Sequence, residues 1–395
     1  MQYTNLTLRG NHYQMGLQHG QQVRHLLSGI TSAMQARFEQ LTQDGTDERF
    51  DRLLQETGEL MATIDMPLME MIRGQADGLG LGFEELLRYD LVTYLRDDLV
   101  VRRILGSEGC TTWAATGSVT ADGNPMLIKN RDYLPDHLPL QVVCDAAPDG
   151  GYHYLYVSSA GSPGVFSAGM NETGLAVADT HVFSSDLGPG LPDFALMMRI
   201  LEQHGTVSSA VDYLRGVPRL GRNNLILADV EGHLAVFESG NTHYGLLETW
   251  DGALVNTNHF ATSKMQDRFV KVDPPESRGR TYRRYDMVCQ ELNAHAGRVD
   301  LAFAQRLMAF HDGRLSSICC HPQANSNVTT ISATVFLPSL RTMFFCHGLP
   351  CQGAYDGYAL LDDGTGHSRS AVCEAAQSGM QPMNLGQVRK WRTYA

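Results

Sequence analysis

Residues 107–133, SEGCTTWAATGSVTADGNPMLIKNRDY, mark the point where the sequence changes from a helical to a β-rich pattern. Inside this stretch, residues 119–120 and 126–129 flank the pair Asp122-Gly123, which is typical of a hairpin turn because glycine tolerates a positive φ. Further strands are predicted at residues 152–158, 175–179, 224–229, 233–238, 254–258, 329–336 and 341–346, the last two joined around Pro338-Ser339. Sheets are therefore expected from this stretch onward.

The part of the chain before this stretch has the periodicity of helices. Apolar residues recur every three or four positions from Phe50 to Ile64, which places them on one helix face. A second helix is predicted from Pro67 to the glycines at 78, 80 and 82, and a third from residue 83 to about 99. Later helices are predicted at residues 194–203, 207–214 (with Thr206 as N-cap), 282–292 and 301–310. Because strands and helices occur in blocks, the pattern favours an α+β fold with largely antiparallel sheets, in a single domain spanning residues 1–395.

The composition excludes several classes of protein. The 395 residues include 31 Lys or Arg and 43 Asp or Glu, and the net charge of −12 argues against nucleic acid as a partner. With 43% apolar and 19% charged residues, the chain has ample material for a core and is not intrinsically disordered. No run approaches the ~18 apolar residues of a membrane span, and residues 1–20 lack the apolar run of a signal peptide. A soluble, cytoplasmic protein is expected, with its eight cysteines mostly reduced.

The common enzyme signatures are missing from the sequence, which has no Gly-rich phosphate loop, no paired-histidine zinc helix and no serine-hydrolase elbow. A candidate nucleophile stands at the helix-to-strand junction, where Cys110 lies between Gly109 and Thr111. The alternative interpretation is that Cys110 is one of eight cysteines and is simply buried at the start of a strand.

Several short motifs, taken in chain order, resemble one known family. They are RGNHYQMG at residues 9–16 with Gly20, GCTTW at 109–113, NRDY at 130–133, GMNETGL at 169–175, NTNHF at 256–260, SRGR at 277–280 with Arg283, CCHP at 319–322 and GLPC at 348–351. On these motifs, which cover most of the chain, the sequence resembles the penicillin acyltransferase-like family of cysteine N-terminal nucleophile (Ntn) hydrolases, which is related to bile salt hydrolases, penicillin V acylases and the acid-ceramidase group.

The resemblance implies a four-layer αββα sandwich, an Ntn-hydrolase fold with an N-terminal helical segment, and activation by autocleavage between Gly109 and Cys110. The cut would leave an α segment, residues 1–109, and a β segment, residues 110–395, which remain associated. In the cut the Cys110 thiol attacks the Gly109 carbonyl, and water then resolves the thioester. Glycine suits this position because it offers little steric resistance. The freed amine of Cys110 would be the base, since an α-amine titrates near pH ~7.7 to 8.0.

The resemblance also implies four further catalytic residues, each with a structural alternative. Asp132 would hold the Cys110 amine and thiol, or else cap a turn, and Asn258 would stabilise the oxyanion, or else satisfy backbone groups at a strand end. Asn171 is a second candidate for oxyanion or substrate binding, with a turn role as its alternative. Arg280 would pair with Asp132, although neighbouring Arg278, Arg283 and Arg284 leave that choice open. Bile salt hydrolases place an arginine where this chain has Lys129, so the electrostatics beside the nucleophile differ.

The expected function is an autoproteolytically activated amidohydrolase or N-acyltransferase that acts on a small-molecule linear amide or acyl thioester through a thioester intermediate. No metal or organic cofactor is implied, and homo-oligomerisation stays open. One alternative is an uncut papain-like enzyme that pairs Cys110 with His181, His259 or His321. Another is a non-catalytic metal-binding protein that uses a set of C-terminal residues, Cys319, Cys320, His321, Cys346, His347 and Cys351.

Overall fold

Fourteen strands and ten helices make up the computed structural model, counted over the residues that it describes: 3–44, 48–95, 109–270, 279–313, 316–322 and 328–360. The strands are β1 (Thr4–Gly10), β2 (Thr111–Thr116), β3 (Met126–Tyr133), β4 (Gln141–Pro148), β5 (Tyr154–Ser159), β6 (Ala168–Asn171), β7 (Ala176–His181), β8 (Asn223–Ala228), β9 (Leu234–Ser239), β10 (Tyr244–Thr249), β11 (Gly252–Asn256), β12 (Thr329–Leu337), β13 (Thr342–His347) and β14 (Tyr355–Ala359). The α-helices are α1 (His12–Gln22), α2 (Leu27–Asp44), α3 (Glu48–Ile64), α4 (Met66–Leu79), α5 (Phe83–Leu95), α6 (Asp193–Gln203), α7 (Val207–Gly216), α8 (Ser263–Gln266), α9 (Arg280–Ala294) and α10 (Leu301–Met308).

The strands form two sheets. Sheet A has the order β1-β4-β5-β6-β7-β8-β9-β10, and sheet B has the order β11-β2-β3-β12-β13-β14. All strand pairs are antiparallel except β1 with β4, which run parallel from Thr4 opposite Val142 to Gly10 opposite Pro148. The expectation of largely antiparallel sheets is confirmed.

Three separate apolar cores stack these elements into four layers. One core packs α1–α7 on the outer face of sheet A, through residues such as Leu8 and Phe194. A second core lies between the sheets, where Leu127 of β3 meets Val157 of β5. A third packs α9 and α10 on the far face of sheet B around Ile128. Leu127 and Ile128 are neighbours that point to opposite faces, as the pleat requires. The chain therefore has the αββα arrangement that the sequence predicted.

Local sequence signals account for several helix ends. In α4, Asp65 caps the N-terminus by accepting a hydrogen bond from Leu68 N, Pro67 lies in the first turn, and Gly80 ends the helix with a φ of 76°. Thr206 caps α7 as predicted. The predicted extension of α5 beyond Leu95 lies outside the described residues. No helix in the described part of the chain is both long enough and apolar enough to cross a bilayer.

Two predictions for the first third of the chain were wrong. The segment before the junction does not begin with a helix, because the alternating pattern TNLTLRG forms β1 at the edge of sheet A. Residues 119–120 do not form a strand either. Gly117 has a φ of 58° and starts a 3₁₀ turn through Val119, so the strand that pairs with β3 is β2.

Candidate active site

Cys110 lies in a cavity between the two sheets, immediately before β2. The lining comes from both sheets, from α5, from the start of α6 and from the segments between elements: Tyr89, Cys110, Lys129, Arg131, Asp132, Tyr133, His137, Ser159, Ser162, Phe166, Asp179, His181 and Asp193. Only 9% of Cys110 is exposed to solvent. Cys110, at the helix-to-strand junction in the sequence, therefore lies in a buried cavity lined by polar and charged side chains.

The alternation of β3 carries polar side chains to both of its faces. Lys129 and Arg131 point toward sheet A, where Arg131 Nη2 donates to Ser159 Oγ at 3.0 Å. Asn130 points the other way, and its Nδ2 donates to the carbonyl oxygens of Met308 at 2.9 Å and Ile318 at 3.2 Å. One short strand thus places cations in the cavity and anchors the helical layer behind it.

Asp132 is a buried carboxylate with one oxygen unused. Its Oδ1 accepts a hydrogen bond from Thr330 Oγ1 at 2.5 Å, whereas Oδ2 has no hydrogen-bond partner among the described residues. A Cβ added to Gly109 would lie 2.8 Å from that Oδ2, so the Gly109 backbone packs directly against the carboxylate. Burial raises the pKa of Asp132 to about 6, although the positive charges of Arg280 and Arg284 oppose the rise. At neutral pH the group is therefore mostly ionised and able to accept a proton.

The thiol of Cys110 is protonated in this form of the chain. Its Sγ lies 4.0 Å from the backbone oxygen of Asp132. The pKa of the thiol is raised to about 11, mainly by burial. The negative charges of Asp179 and Asp132 also raise this pKa, and the positive charge of Lys129 lowers it. A thiol in this state becomes nucleophilic only when a base removes its proton.

Arg284 links the nucleophile to the predicted oxyanion residue. Its guanidinium is fully buried; Nη1 donates to Cys110 O at 2.5 Å and to Thr111 Oγ1 at 2.8 Å, and Nη2 donates to Asn258 Oδ1 at 2.7 Å. Burial and, to a smaller extent, the positive charge of Arg280 lower the pKa of Arg284 to about 10. Sequence reasoning mentioned Arg284 only as a neighbour of Arg280. The four-residue spacing of the two arginines, which places both on one helix face, was the available signal.

Arg280 reaches the same site from the start of α9. It is 6% exposed, and its Nη2 would lie 3.6 Å from a Cβ added to Gly109. Its positive charge lowers the pKa of Asp132. Arg283 is exposed on the helix surface, and Arg278 lies outside the described residues.

Asn258 is brought to the site by the segment that follows β11. Its Nδ2 donates to His181 O at 2.9 Å, and its Oδ1 accepts from Arg284. Both ends of the amide are thus held, and the side chain is 8% exposed. The arrangement fixes the direction of the amide group beside Cys110.

Asn171 is not brought together with Cys110. Its Nδ2 donates to Leu201 O and His204 O, and its Oδ1 accepts from the backbone of Thr173 and Leu175. Asn171 pairs with Tyr154, which is the first residue of β5, whereas Ser159, which lines the cavity, is the last. At about 3.3 Å per residue, the five residue steps between these two ends place Asn171 roughly 16 Å from the cavity. The turn role that the sequence also allowed describes its contacts, so a place for Asn171 among the catalytic residues does not fit this geometry.

Lys129, at the position where bile salt hydrolases have arginine, forms a buried ion pair with Asp179 across the two sheets. Its Nζ also donates to Ser167 O at 3.0 Å. The charge of Lys129 is thus matched by a carboxylate in the cavity wall. The positive charge of Lys129 lowers the pKa of the Cys110 thiol without a hydrogen bond between the two side chains.

The histidines of the papain-like alternative lie in three different places. His181 lines the cavity with Cys110. His259 Nδ1 contacts Thr257 Oγ1 at 3.0 Å and Thr281 Oγ1 at 2.9 Å, and burial lowers the pKa of its ring to about 4. His321 lies beside Cys351, with 3.2 Å between Nε2 and Sγ.

The metal-binding set is brought together only in part. Cys319, His321 and Cys351 are close to one another. Cys320 Sγ instead donates to Val328 O, and His347 Nε2 contacts Leu138 O. Cys346 is a paired residue of β13. His311, which sequence reasoning did not select, joins His321 and Cys351, because its ligand atom lies within 4.8 Å of theirs.

Comparison with known proteins gives one matching family model and several solved structures of low similarity. The sequence model described as "Acyl-coenzyme A:6-aminopenicillanic acid acyl-transferase" matches residues 119–352, more than half of the chain. Among solved structures, a mutant of the conjugated bile acid hydrolase from Clostridium perfringens has 13% identity and a TM-score of 0.46, covering 64% of this chain and 92% of its own. Penicillin V acylase from Agrobacterium tumefaciens has 17% identity and a TM-score of 0.43, covering 64% and 86%. The Caenorhabditis elegans ortholog of N-acylethanolamine-hydrolyzing acid amidase has 18% identity and a TM-score of 0.41, covering 58% and 94%. No curated protein sequence matches significantly.

Proposed function

We propose, from the premise that the chain belongs to the acyl-coenzyme A:6-aminopenicillanic acid acyl-transferase family, that it cuts its own Gly109–Cys110 bond and then hydrolyses or transfers acyl groups from small linear amides. The observation that carries the proposal is that charged side chains contact both residues of that bond. Arg284 holds the Cys110 carbonyl, and the unpartnered Oδ2 of Asp132 lies against Gly109. The two residues joined by the proposed cleavage bond are thus each in contact with a charged side chain, Gly109 with Asp132 and Cys110 with Arg284.

The cut itself is an N-to-S acyl shift. The Cys110 thiol gives its proton to Asp132, and the sulfur attacks the carbonyl carbon of Gly109. The C–N bond then breaks as the nitrogen of Cys110 takes up a proton, and a thioester joins Gly109 to Cys110. Water hydrolyses this thioester, which releases the Gly109 carboxylate and leaves Cys110 with a free thiol and a free amine. A pKa of about 6 suits Asp132 to this task, since the carboxylate is ionised at neutral pH yet basic enough to accept the proton.

Turnover after the cut uses the new α-amine as the base. Its pKa near ~7.7 to 8.0 allows it to take the thiol proton and return it to the leaving amine. Asn258 is held by Arg284 and donates an amide hydrogen to the oxyanion of the tetrahedral intermediate. The acyl group remains on Cys110 as a thioester until water or an acceptor amine takes it. The choice between those two acceptors decides between hydrolase and transferase.

One cation in the cavity wall, Arg131, is placed to bind an anionic or strongly accepting group on a substrate. Lys129 is matched by Asp179, but Arg131 has no ion pair among the described residues. Arg131 is 6% exposed, and its Nη1 has no hydrogen-bond partner in the described part of the chain. A buried guanidinium with an unused N–H group is stabilised by a carboxylate or carbonyl. We therefore assign Arg131 the role of binding such a group on the substrate.

The second candidate is the uncut papain-like enzyme, which the shared cavity of Cys110 and His181 favours. Against it stands the raised pKa of the Cys110 thiol, because a Cys–His pair works through a thiolate whose pKa is lowered. This candidate predicts an active, uncut chain of 395 residues.

Intact mass under denaturing conditions and N-terminal sequencing test the proposal. The full chain should yield fragments 1–109 and 110–395, with Cys110 as a new N-terminal residue. Cys110→Ala should stay uncut and should not turn over N-acyl amino acids or acyl-amines. The matched control is Cys289→Ser, a half-buried cysteine on α9, which should be cut and active. Fully active protein that is uncut, or amide hydrolysis by a clean Cys110→Ala preparation, would overturn the proposal.

A further inference from the structure

We propose that the chain binds one zinc ion through Cys319, His321, Cys351 and His311, here called the CHCH cluster, behind the active site. The inference does not depend on the proposed function. It departs from the expectation that no metal is involved, and it requires a different set of residues from the one that the sequence suggested. The ligands come from three loops: one after α10, the segment 316–322 before β12, and the turn between β13 and β14.

The positions of the side chains fit a tetrahedral site. The ligand atoms of His311, His321 and Cys351 all lie within 4.8 Å of one another. His321 Nε2 lies 3.2 Å from Cys351 Sγ, and Cys319 Sγ lies 3.7 Å from Cys351 Sγ. Zinc binds sulfur at about 2.3 Å and nitrogen at about 2.0–2.1 Å, so ligand atoms on a tetrahedral zinc are roughly 3.3–3.8 Å apart. The two measured pairs are at or near that separation. Cys319 is close to Cys351 but lies outside the group within 4.8 Å, so its thiol must move toward the histidines to complete the set.

The chemistry of the set also suits zinc. Two thiols and two imidazoles are the donors of structural Cys₂His₂ sites, and soft sulfur ligands select against magnesium and calcium. Cys319 and Cys351 are both free thiols in the structure. The rings of His311 and His321 stack with centroids 4.1 Å apart, so the two imidazoles lie side by side.

A structural role follows from where the cluster lies. None of its four residues is in the lining of the Cys110 cavity. With four protein ligands a zinc ion has no open position for water or substrate, which is the arrangement of structural rather than catalytic sites. The bound ion would instead fasten together three loops that have little regular secondary structure of their own.

The cluster is connected to Asp132 by a short chain of hydrogen bonds. Cys320, between the ligands Cys319 and His321, donates through its backbone N to Thr330 Oγ1 at 2.7 Å, and its carbonyl accepts from Thr330 N at 2.8 Å. Thr330 Oγ1 in turn donates to Asp132 Oδ1 at 2.5 Å. Zinc would therefore act as a positioning device, since it holds the segment that orients Thr330 and hence Asp132.

Metal analysis of the full-length chain tests the inference, in a Cys110→Ala background so that the result is independent of self-cleavage. Protein produced with zinc and purified reduced, without chelator, should contain about one zinc per chain. The same should hold for the control Cys289→Ser. Cys351→Ser and His311→Ala should lose the metal, and His311→Ala changes only an exposed side chain, so it should fold. Titration of the reduced zinc-free chain with Co²⁺ should give the absorption of a tetrahedral thiolate complex.

Three results would overturn the inference. The first is a reduced, folded chain that takes up neither zinc nor Co²⁺ at unit stoichiometry. The second is full retention of the metal by both Cys351→Ser and His311→Ala. The third is a disulfide between Cys319 and Cys351 in protein isolated under mild conditions, seen by peptide mapping without reductant, because the two thiols would then be unable to bind a metal.

Discussion

Replacing Asp132 by Asn should strongly slow self-cleavage while making the precursor more stable. The pKa of the carboxyl group is 3.8 when unperturbed and about 6 in the folded chain, so the fold favours its protonated form. One pKa unit corresponds to 1.36 kcal/mol, and ionised Asp132 thus destabilises the folded state by about 3 kcal/mol at neutral pH. Asparagine has nearly the same shape without the charge. Catalytic function and stability are therefore expected to move in opposite directions at this residue.

The sign of the pH dependence follows from the raised pKa. Since the folded chain holds the Asp132 proton more tightly than the unfolded chain, stability falls as the pH rises from 3.8 to about 6 and is constant above. The gain from Asp132→Asn should be about 3 kcal/mol at pH 7.5 and only about 1 kcal/mol at pH 4.5.

The measurement is urea unfolding of two uncut proteins, Cys110→Ala and Cys110→Ala/Asp132→Asn, at both pH values. Asp212→Asn is the matched control, because its side chain is exposed on α7, and it should change stability by less than about 0.5 kcal/mol. In the chain that retains Cys110, Asp132→Asn should slow self-cleavage by about 100-fold or more, the usual contribution of a general base. An Asn variant that is less stable than its parent at pH 7.5 would refute the reasoning, since attraction to Arg280 and Arg284 would then outweigh burial.

Three further predictions concern the cleavage bond, the oxyanion and the substrate. Gly109→Ala should slow self-cleavage, because the new Cβ would lie 2.8 Å from Asp132 Oδ2. Time courses of fragment formation measure the rate, and an unchanged rate would show that the carboxylate moves freely. Asn258→Ala should lower kcat of the cleaved enzyme by about 100- to 1,000-fold, and a loss confined to KM would remove Asn258 from the oxyanion role. Arg131→Leu should raise KM for substrates that carry a carboxylate while KM for neutral amides stays the same, whereas an equal rise for both would contradict anion binding by Arg131.

The sequence predicted what depends on local pattern and on motifs. The αββα layers and the predicted helices, as far as Leu95, appear in the structure. Cys110, Asp132 and Arg280 lie around Gly109, and Arg284 links Cys110 to Asn258. Sequence reasoning did not predict β4, in which the consecutive residues Val142, Val143 and Cys144 are all buried and give no alternation of apolar and polar positions. It also placed a strand at Val119, where the positive φ of Gly117 diverts the chain.

The remaining differences come from contacts between distant parts of the chain. Nothing near Arg284 in sequence indicates that its guanidinium reaches both Cys110 and Asn258. Asn171 has a family motif around it, yet its amide is used to close a turn between β6 and β7. His311 joins the CHCH cluster only because α10 ends beside the turn after β13. Such partners are set by tertiary packing, which a single sequence does not display.

The parallel pairing of β1 with β4 has a consequence for handling the processed protein. Because β1 precedes Gly109 and β4 follows Cys110, a cut chain would be a heterodimer whose subunits share one sheet along seven residue pairs. Its unfolding midpoint should then rise with protein concentration, which a single chain does not show. A gene that starts at codon 110 would produce a polypeptide with an open sheet edge and a bare apolar face, and inclusion bodies are the expected product.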